Sequence, residues 1–237
     1  MTADRRTGGP ADRMRRAGLV VAAVAGLLSA GPPVRLSAQQ DASAIVDRAV
    51  AAFQEVTTLR ADFTQTVRDE MIGTNSTSRG EFMQQRPNRF SMRWRQPAGD
   101  VILSDGRWLW VYLPSTTPNQ VVKSQVSNLP GQSPDVVAEF LSRPQERFTI
   151  SYARAEPVSR RDADVVSFVP KQPGGPYRRV LLWIDRQDNL PHQVEITEAS
   201  GAIRRVTLDR LRINGALPSS AFVFRPPAGA RIVDASR

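Results

Sequence analysis

His192 is the only histidine in a chain of 237 residues that has no cysteine. A nucleophilic triad needs a base beside its hydroxyl, and a zinc site needs several histidine or cysteine ligands, so both chemistries lack their parts. Placed after Asn189-Leu190-Pro191 at the start of a strand-like run, His192 reads as a surface or strand-edge histidine. Carboxylates fall in near-neighbour pairs: Asp69 with Glu70, Asp162 with Asp164, Asp185 with Asp188. Their segments are turn-like, where Asp is favoured because its side chain bonds nearby backbone. A glycosidase instead needs two carboxylates facing each other across a cleft. The stretch Asp185 to Asn189 is oxygen-rich, but it lacks the central Gly and terminal Glu of a calcium loop. There is no Gly-rich phosphate loop between a strand and a helix. These residues argue against catalysis and offer no recognised motif for a metal or a cofactor. A hydrolase built on a carboxylate pair that spacing does not reveal is the rival.

The chemistry that remains is that of apolar surface beside fixed charge. In GEFMQQRPNRFSMRW (80–94), Phe90, Met92 and Trp94 alternate with Ser91 and Arg93, and Arg86-Pro87-Asn88 forms the turn before them. In DVILSDGRWLWVYLP (100–114), Asp105-Gly106 is a hairpin signal, and Trp108, Trp110 and Tyr112 share one face of the second arm. Residues alone leave two readings open: these side chains fill a core, or they line a cavity.

The elements that must position them follow from periodicity. Ile45, Ala49, Val50, Phe53 and Val56 recur at three- and four-residue steps, which predicts a helix over 41–57 capped by Asp41. Alternation of period two then begins with Leu59, Ala61, Phe63, Gln65 and Val67. Further strands are expected over 78–86, 89–96, within 100–114, and at 119–126, 147–154, 163–169, 178–185, 191–198 and 202–213. Between them, Ser133-Pro134-Asp135 starts a second helix that presents Val136, Val137, Phe140 and Leu141 on one side and ends at Pro144, with Glu139 facing solvent. Short turns between sequential strands mean an antiparallel meander. The expected fold is α+β but mainly β: one curved antiparallel sheet of about 10–11 strands with helices on its concave face.

At the N-terminus, Arg13, Arg15 and Arg16 precede the apolar run Ala17 to Ala30, and Leu-Ser-Ala-Gln follows at 36–39. This is the order of a secretory signal, with cleavage after Ala38, leaving 39–237 as a single domain. Met14 is an alternative start, and Arg15-Arg16 permits either general or twin-arginine export. Removing 1–38 takes away six arginines and two aspartates and lowers the formal charge from +9 to +5. Export argues against nucleic acid as the partner; an anionic lipid surface or an acidic partner suits this charge better.

ADFTQ (61–65), RPNRFSMRW (86–94), VILSDGRWLWVYLP (101–114) and FVFRPPAGARIV (222–233), in this order behind a signal peptide, resemble the LolA family of periplasmic lipoprotein carriers. The resemblance spans nearly all of the mature chain. It implies an unclosed half-barrel with a helical lid, a monomer whose hydrophobic cavity takes up the acyl chains of lipoproteins. It also implies an inner-membrane ABC transporter as donor and an outer-membrane acceptor as recipient. By motif, the family's latch arginine, which bonds to lid-helix backbone, falls on Arg86. The cavity candidates are Phe53, Phe63, Phe82, Phe90, Met92, Trp94, Trp108, Trp110, Val137, Phe140 and Leu141. A LolB-like acceptor or another periplasmic lipid-binding protein is the alternative; the absence of an N-terminal lipidation cysteine argues against the former.

Overall fold

The computed structural model describes residues 34–71, 73–126 and 136–235, which belong to one compact unit. Residues 1–33 of the signal-like segment and the Ser133-Pro134-Asp135 helix start lie outside the described residues.

Helix α1 (Val34–Gln54) opens the unit. It begins upstream of the expected cap, so Asp41 lies within the helix. No Gly or Pro interrupts the segment between Val34 and Asp41, while Pro32-Pro33 stands immediately before it. It ends three residues earlier than expected, where Val56-Thr57-Thr58 passes to β-branched residues and extended backbone.

The strands are β1 (Thr58–Asp69), β2 (Thr74–Gln85), β3 (Arg89–Gln96), β4 (Ala98–Asp105), β5 (Trp108–Tyr112) and β6 (Gln120–Gln125). Short helices α2 (Val136–Leu141) and α3 (Pro144–Arg147) lead into β7 (Phe148–Ala155), β8 (Ala163–Pro170), β9 (Tyr177–Asp185), β10 (Pro191–Glu198) and β11 (Ile203–Ile213). Pro144 is the first residue of α3 rather than simply the stop of α2, with Arg143 in the left-handed region at φ 48° before it. Strand β12 (Arg231–Asp234), which strand periodicity did not reveal, makes the sheet twelve-stranded.

The sheet order is β12-β6-β5-β4-β3-β2-β1-β11-β10-β9-β8-β7. Every pairing is antiparallel except β12 with β6, which is parallel. The antiparallel strands thus form two meanders joined where β1 meets β11. The sheet is unclosed, with β7 at one edge and β12 at the other.

Gly80 in β2 shows how tightly the centre is built. A Cβ there would stand 2.2 Å from the Arg93 carbonyl oxygen and 2.6 Å from the Phe63 ring. The ring of Phe63 therefore lies over bare backbone and meets Trp94 edge-on, with centroids 5.2 Å apart. At the β4–β5 hairpin, Gly106 has φ 101°, the conformation its Asp-Gly pairing calls for.

Candidate functional site

The apolar interior is built from both meanders and closed by α1 and α2. From α1 it takes Ala42, Ile45, Val46, Ala49 and Phe53, the stripe that helical spacing requires. Cross-strand register places Ala61, Phe82 and Met92 on one face, with Leu59 and Phe63 on the same side of β1. Phe90 joins them from β3, and Val137, Phe140 and Leu141 from α2. Met92 and Trp94 are half-buried at the margin of this cluster. Nine of the eleven cavity candidates thus meet in one interior.

The other wall is equally apolar and comes from β7 to β10, through Phe148, Ile150, Val166, Phe168, Leu182 and Val194. Phe140 of α2 inserts here, edge-on to Tyr177 at 5.5 Å and to Phe148 at 6.1 Å. These strands are visible from sequence, but their inward residues are not. Runs such as VLLWID are apolar on both faces and carry no alternation to show which side is inward.

Trp108 and Trp110 lie on the opposite face from this interior. Leu109, between them, packs against the interior cluster. Trp110 pairs in register with Leu103, on the face where a C-terminal arm crosses the sheet. Leu217, Ala221 and Phe222 of this arm cluster with Met83, and Phe224 stands 5.6 Å from Trp110 and 6.0 Å from Tyr112. Arg93 fastens it by donating to the Val223 carbonyl at 3.1 Å. Alternation gives a strand two faces without saying which faces in; the arm takes the tryptophan face, so these two residues are removed from the cavity set.

Two arginines hold the covering helices. Arg86 donates from Nη1 to the Gln54 carbonyl at 3.2 Å, and its guanidinium lies 4.3 Å from the centre of the Phe53 ring. Its own N–H bonds to the Thr57 carbonyl at 3.0 Å. The last turn of α1 contains no basic residue, so Arg86 brings positive charge to the negative end of the helix dipole from another element. Arg147 does the same for α2: it donates to the Glu139 carbonyl at 2.6 Å and pairs with the Glu139 carboxylate. Glu139 is buried instead of facing solvent, because this partner and Tyr177 draw it inward. Sequence reasoning misses Arg147: its eight-residue separation from Glu139 spans a helix break and matches no helical pair.

The carboxylate pairs do not converge on a reaction site. Asp185, Asp188 and His192 bring ligand atoms within 4.8 Å of one another, a spacing that could hold a metal ion. Arg161 already occupies the carboxylates, with Nε 2.6 Å and Nη2 2.9 Å from Asp185 and Nη2 3.0 Å from Asp188. Burial pushes the Asp185 carboxyl up, but Arg161 and the N–H groups of Asp188 and Gln187 outweigh it and hold it at about 2. The arrangement is an ion-paired turn. His192 is buried on an interior strand, its Nε2 3.0 Å from Asp188, and is not at a surface or sheet edge. Asp164 pairs with Arg186, and Glu70 with Arg68.

An unclosed antiparallel half-barrel whose apolar concave face is roofed by fastened helices defines a class of proteins built to enclose apolar material. The comparisons place the chain within it. The family model described as "Outer membrane lipoprotein carrier protein LolA" matches residues 54–225, well over half of the chain, and the chain belongs to that family. A protein of Alkalilimnicola ehrlichii named outer-membrane lipoprotein carrier protein is 29% identical over 184 residues, covering 77% of this chain and 80% of the relative. One of the same name from Bordetella pertussis is 28% identical over 222 residues, covering 92% and 97%. Among solved structures, an uncharacterized conserved protein from Thermus thermophilus superposes with a TM-score of 0.52 at 16% identity, over 82% of this chain and 99% of that one. This last likeness bears on the fold alone.

Proposed function

We propose that this protein is a periplasmic carrier of outer-membrane lipoproteins, enclosing their acyl chains in the interior between the sheet and the helices α1 and α2. Family membership supports the cargo class. The observation that carries the mechanism is that each covering helix is fastened by one arginine to helix backbone. These polar contacts add to the apolar packing of α1 and α2 against the sheet.

The interior is closed in this state, with Phe53, Phe63 and Phe140 each almost wholly buried. Acyl chains enter by displacing α1 and α2, breaking the Arg86 contact with Gln54. Burial of chain contributes about 0.8 kcal/mol per methylene. A hydrogen bond to a charged donor contributes about 1.5–3 kcal/mol, and less where solvent reaches it as at Arg86. Opening also exposes the apolar stripes of α1 and α2, about 1.5–3 kcal/mol for each large side chain, so cargo opens the roof where its acyl chains replace that burial, and reclosure assists release. Donor and recipient are an inner-membrane ABC transporter and an outer-membrane acceptor, and the carrier acts as a monomer without enzymatic turnover. The segment 1–38 is the export signal, removed after Ala38.

The test is to isolate the protein from its periplasm and identify bound material by mass spectrometry. Co-purifying acylated lipoproteins, together with displacement of a hydrophobic dye by acyl chains, support the reading. Neither binding nor displacement would show that the interior is a filled core.

A further inference from the structure

We infer that the end of the sheet carrying the β2–β3 and β4–β5 turns is a docking surface for an anionic phospholipid membrane. The rim is contiguous. The Ser104 hydroxyl donates to the Asn88 carbonyl at 2.5 Å, joining the two turns. Arg89 pairs with Asp105 in register, and a Cβ on Gly106 would touch the Arg89 side chain at 3.5 Å. The Val126 N–H reaches the Arg107 carbonyl at 3.0 Å, bringing the end of β6 alongside.

This rim gathers Arg86, Arg89, Arg107 and Lys123. Arg89 and Arg107 are exposed, and none of the four forms an ion pair among the described residues. Asp105 is the carboxylate in their midst. Its oxygens are taken by the N–H groups of Arg107 and Trp108 and by the Trp110 indole. Glu55, on the turn after α1, is a second countercharge, and Asp234, opposite Lys123 in register, is a third. The balance remains positive.

Another arginine-rich region, on the outer face of β1, β2 and β11, is different in kind. There Arg60 pairs with Glu81, while Arg95 and Arg210 pair with Asp62, so much of its charge is spent internally. Only Arg79 and Arg212 stay without an ion pair among its described arginines.

The rim also has an aromatic member. Trp108 is half-buried, with the Lys123 ammonium 3.7 Å and the Arg107 guanidinium 5.4 Å from its ring centres. Tryptophan beside basic side chains is the combination that settles at the headgroup level of a bilayer. An acidic peptide is the less suitable occupant: an extended peptide gains most by adding to a strand edge, and the open edge on this side runs along β12, whereas the rim is made of turns. Among the described residues, no helix is long and apolar enough to cross a membrane, so contact would be peripheral. Rim docking would bring the membrane beside the Arg86 contact with α1. Its use in cargo transfer rests on the carrier reading, whereas the docking rests on the rim alone.

The experiment is co-sedimentation of the cargo-free protein, without its signal segment, with vesicles of phosphatidylcholine alone or mixed with phosphatidylglycerol. Binding to the mixed vesicles only, weakening as salt rises, is expected. Each basic residue near such a surface strengthens binding about fivefold, so Arg89→Gln with Arg107→Gln should weaken it about 25-fold. Arg79→Gln with Arg212→Gln removes the same charge from the outer face and should leave most of the binding in place. Equal loss in both double variants would overturn the inference in favour of general charge attraction, as would equal binding to neutral vesicles or no binding at all. Dye uptake in the same preparations reports the interior separately, so a failed carrier reading and a failed docking surface give different results.

Discussion

Arg86 lies with its guanidinium 4.3 Å from the centre of the Phe53 ring while its Nη1 donates to the carbonyl of Gln54, the next residue. One side chain from a sheet turn thus holds the last turn of α1 by both its ring and its backbone. The cation–π contact adds about 0.5–1 kcal/mol to the hydrogen bond at a site this open.

Replacing Arg86 by leucine should preserve the fold and acyl uptake but weaken the closed roof, so that cargo is held and hand-off slows. A reconstituted transfer assay with a lipoprotein acceptor checks this; transfer at the normal rate would refute a latch.

For α2, Arg147→Met leaves the buried Glu139 carboxylate without its cation and the Glu139 carbonyl without its donor. Hydrophobic-dye fluorescence of the cargo-free protein should rise several-fold as Phe140 leaves its aromatic cage. Unchanged fluorescence with unchanged stability would mean that the Phe140 packing alone holds the helix.

Gly80→Ala places a methyl group against the Arg93 carbonyl and the Phe63 ring, and neither backbone nor a fully packed ring can give way cheaply. The expected loss is about 2–4 kcal/mol in urea denaturation. A loss below about 0.5 kcal/mol would show that the β2–β3 pairing adjusts there.

Asp185 is held at about 2, below its ordinary value of 3.8. A depressed carboxyl contributes stability that is present above its unfolded pKa and disappears as pH falls toward the folded one. Stability should therefore decline between about pH 4 and pH 2 as this carboxyl takes up its proton. Arg161→Gln should cost about 1–2 kcal/mol at neutral pH, solvent at the half-exposed arginine screening the pair, and flatten that part of the curve. Thermal denaturation across this range, with wild type and variant compared, measures both.

Much of the site was legible because it rests on local rules. The stripe of α1 follows helical spacing, and the turns at Arg86-Pro87-Asn88 and Asp105-Gly106 follow turn chemistry. The alternation of Phe90, Met92 and Trp94 follows strand period, and all three reach the interior as the register requires. The start of α1 is misplaced by sequence reasoning because a good capping residue, Asp41, lies inside a segment that already favours helix. The far wall is unspecified because strands apolar on both faces carry no directional signal.

The sequence by itself determined most of the helix and strand segments, though not α3 or β12, that the strands form antiparallel meanders, and that an arginine stands at the turn before an apolar strand. These follow from contacts between near neighbours. Only the tertiary structure decided that Leu109 faces inward and Trp108 and Trp110 outward, that Glu139 is buried against Arg147, and that His192 is enclosed. Each depends on an element distant in sequence: the C-terminal arm over the tryptophan face, Arg147 across a helix break, and the strands flanking β10. The pattern of a strand names its two faces, but what covers each face is settled only when the chain returns to it.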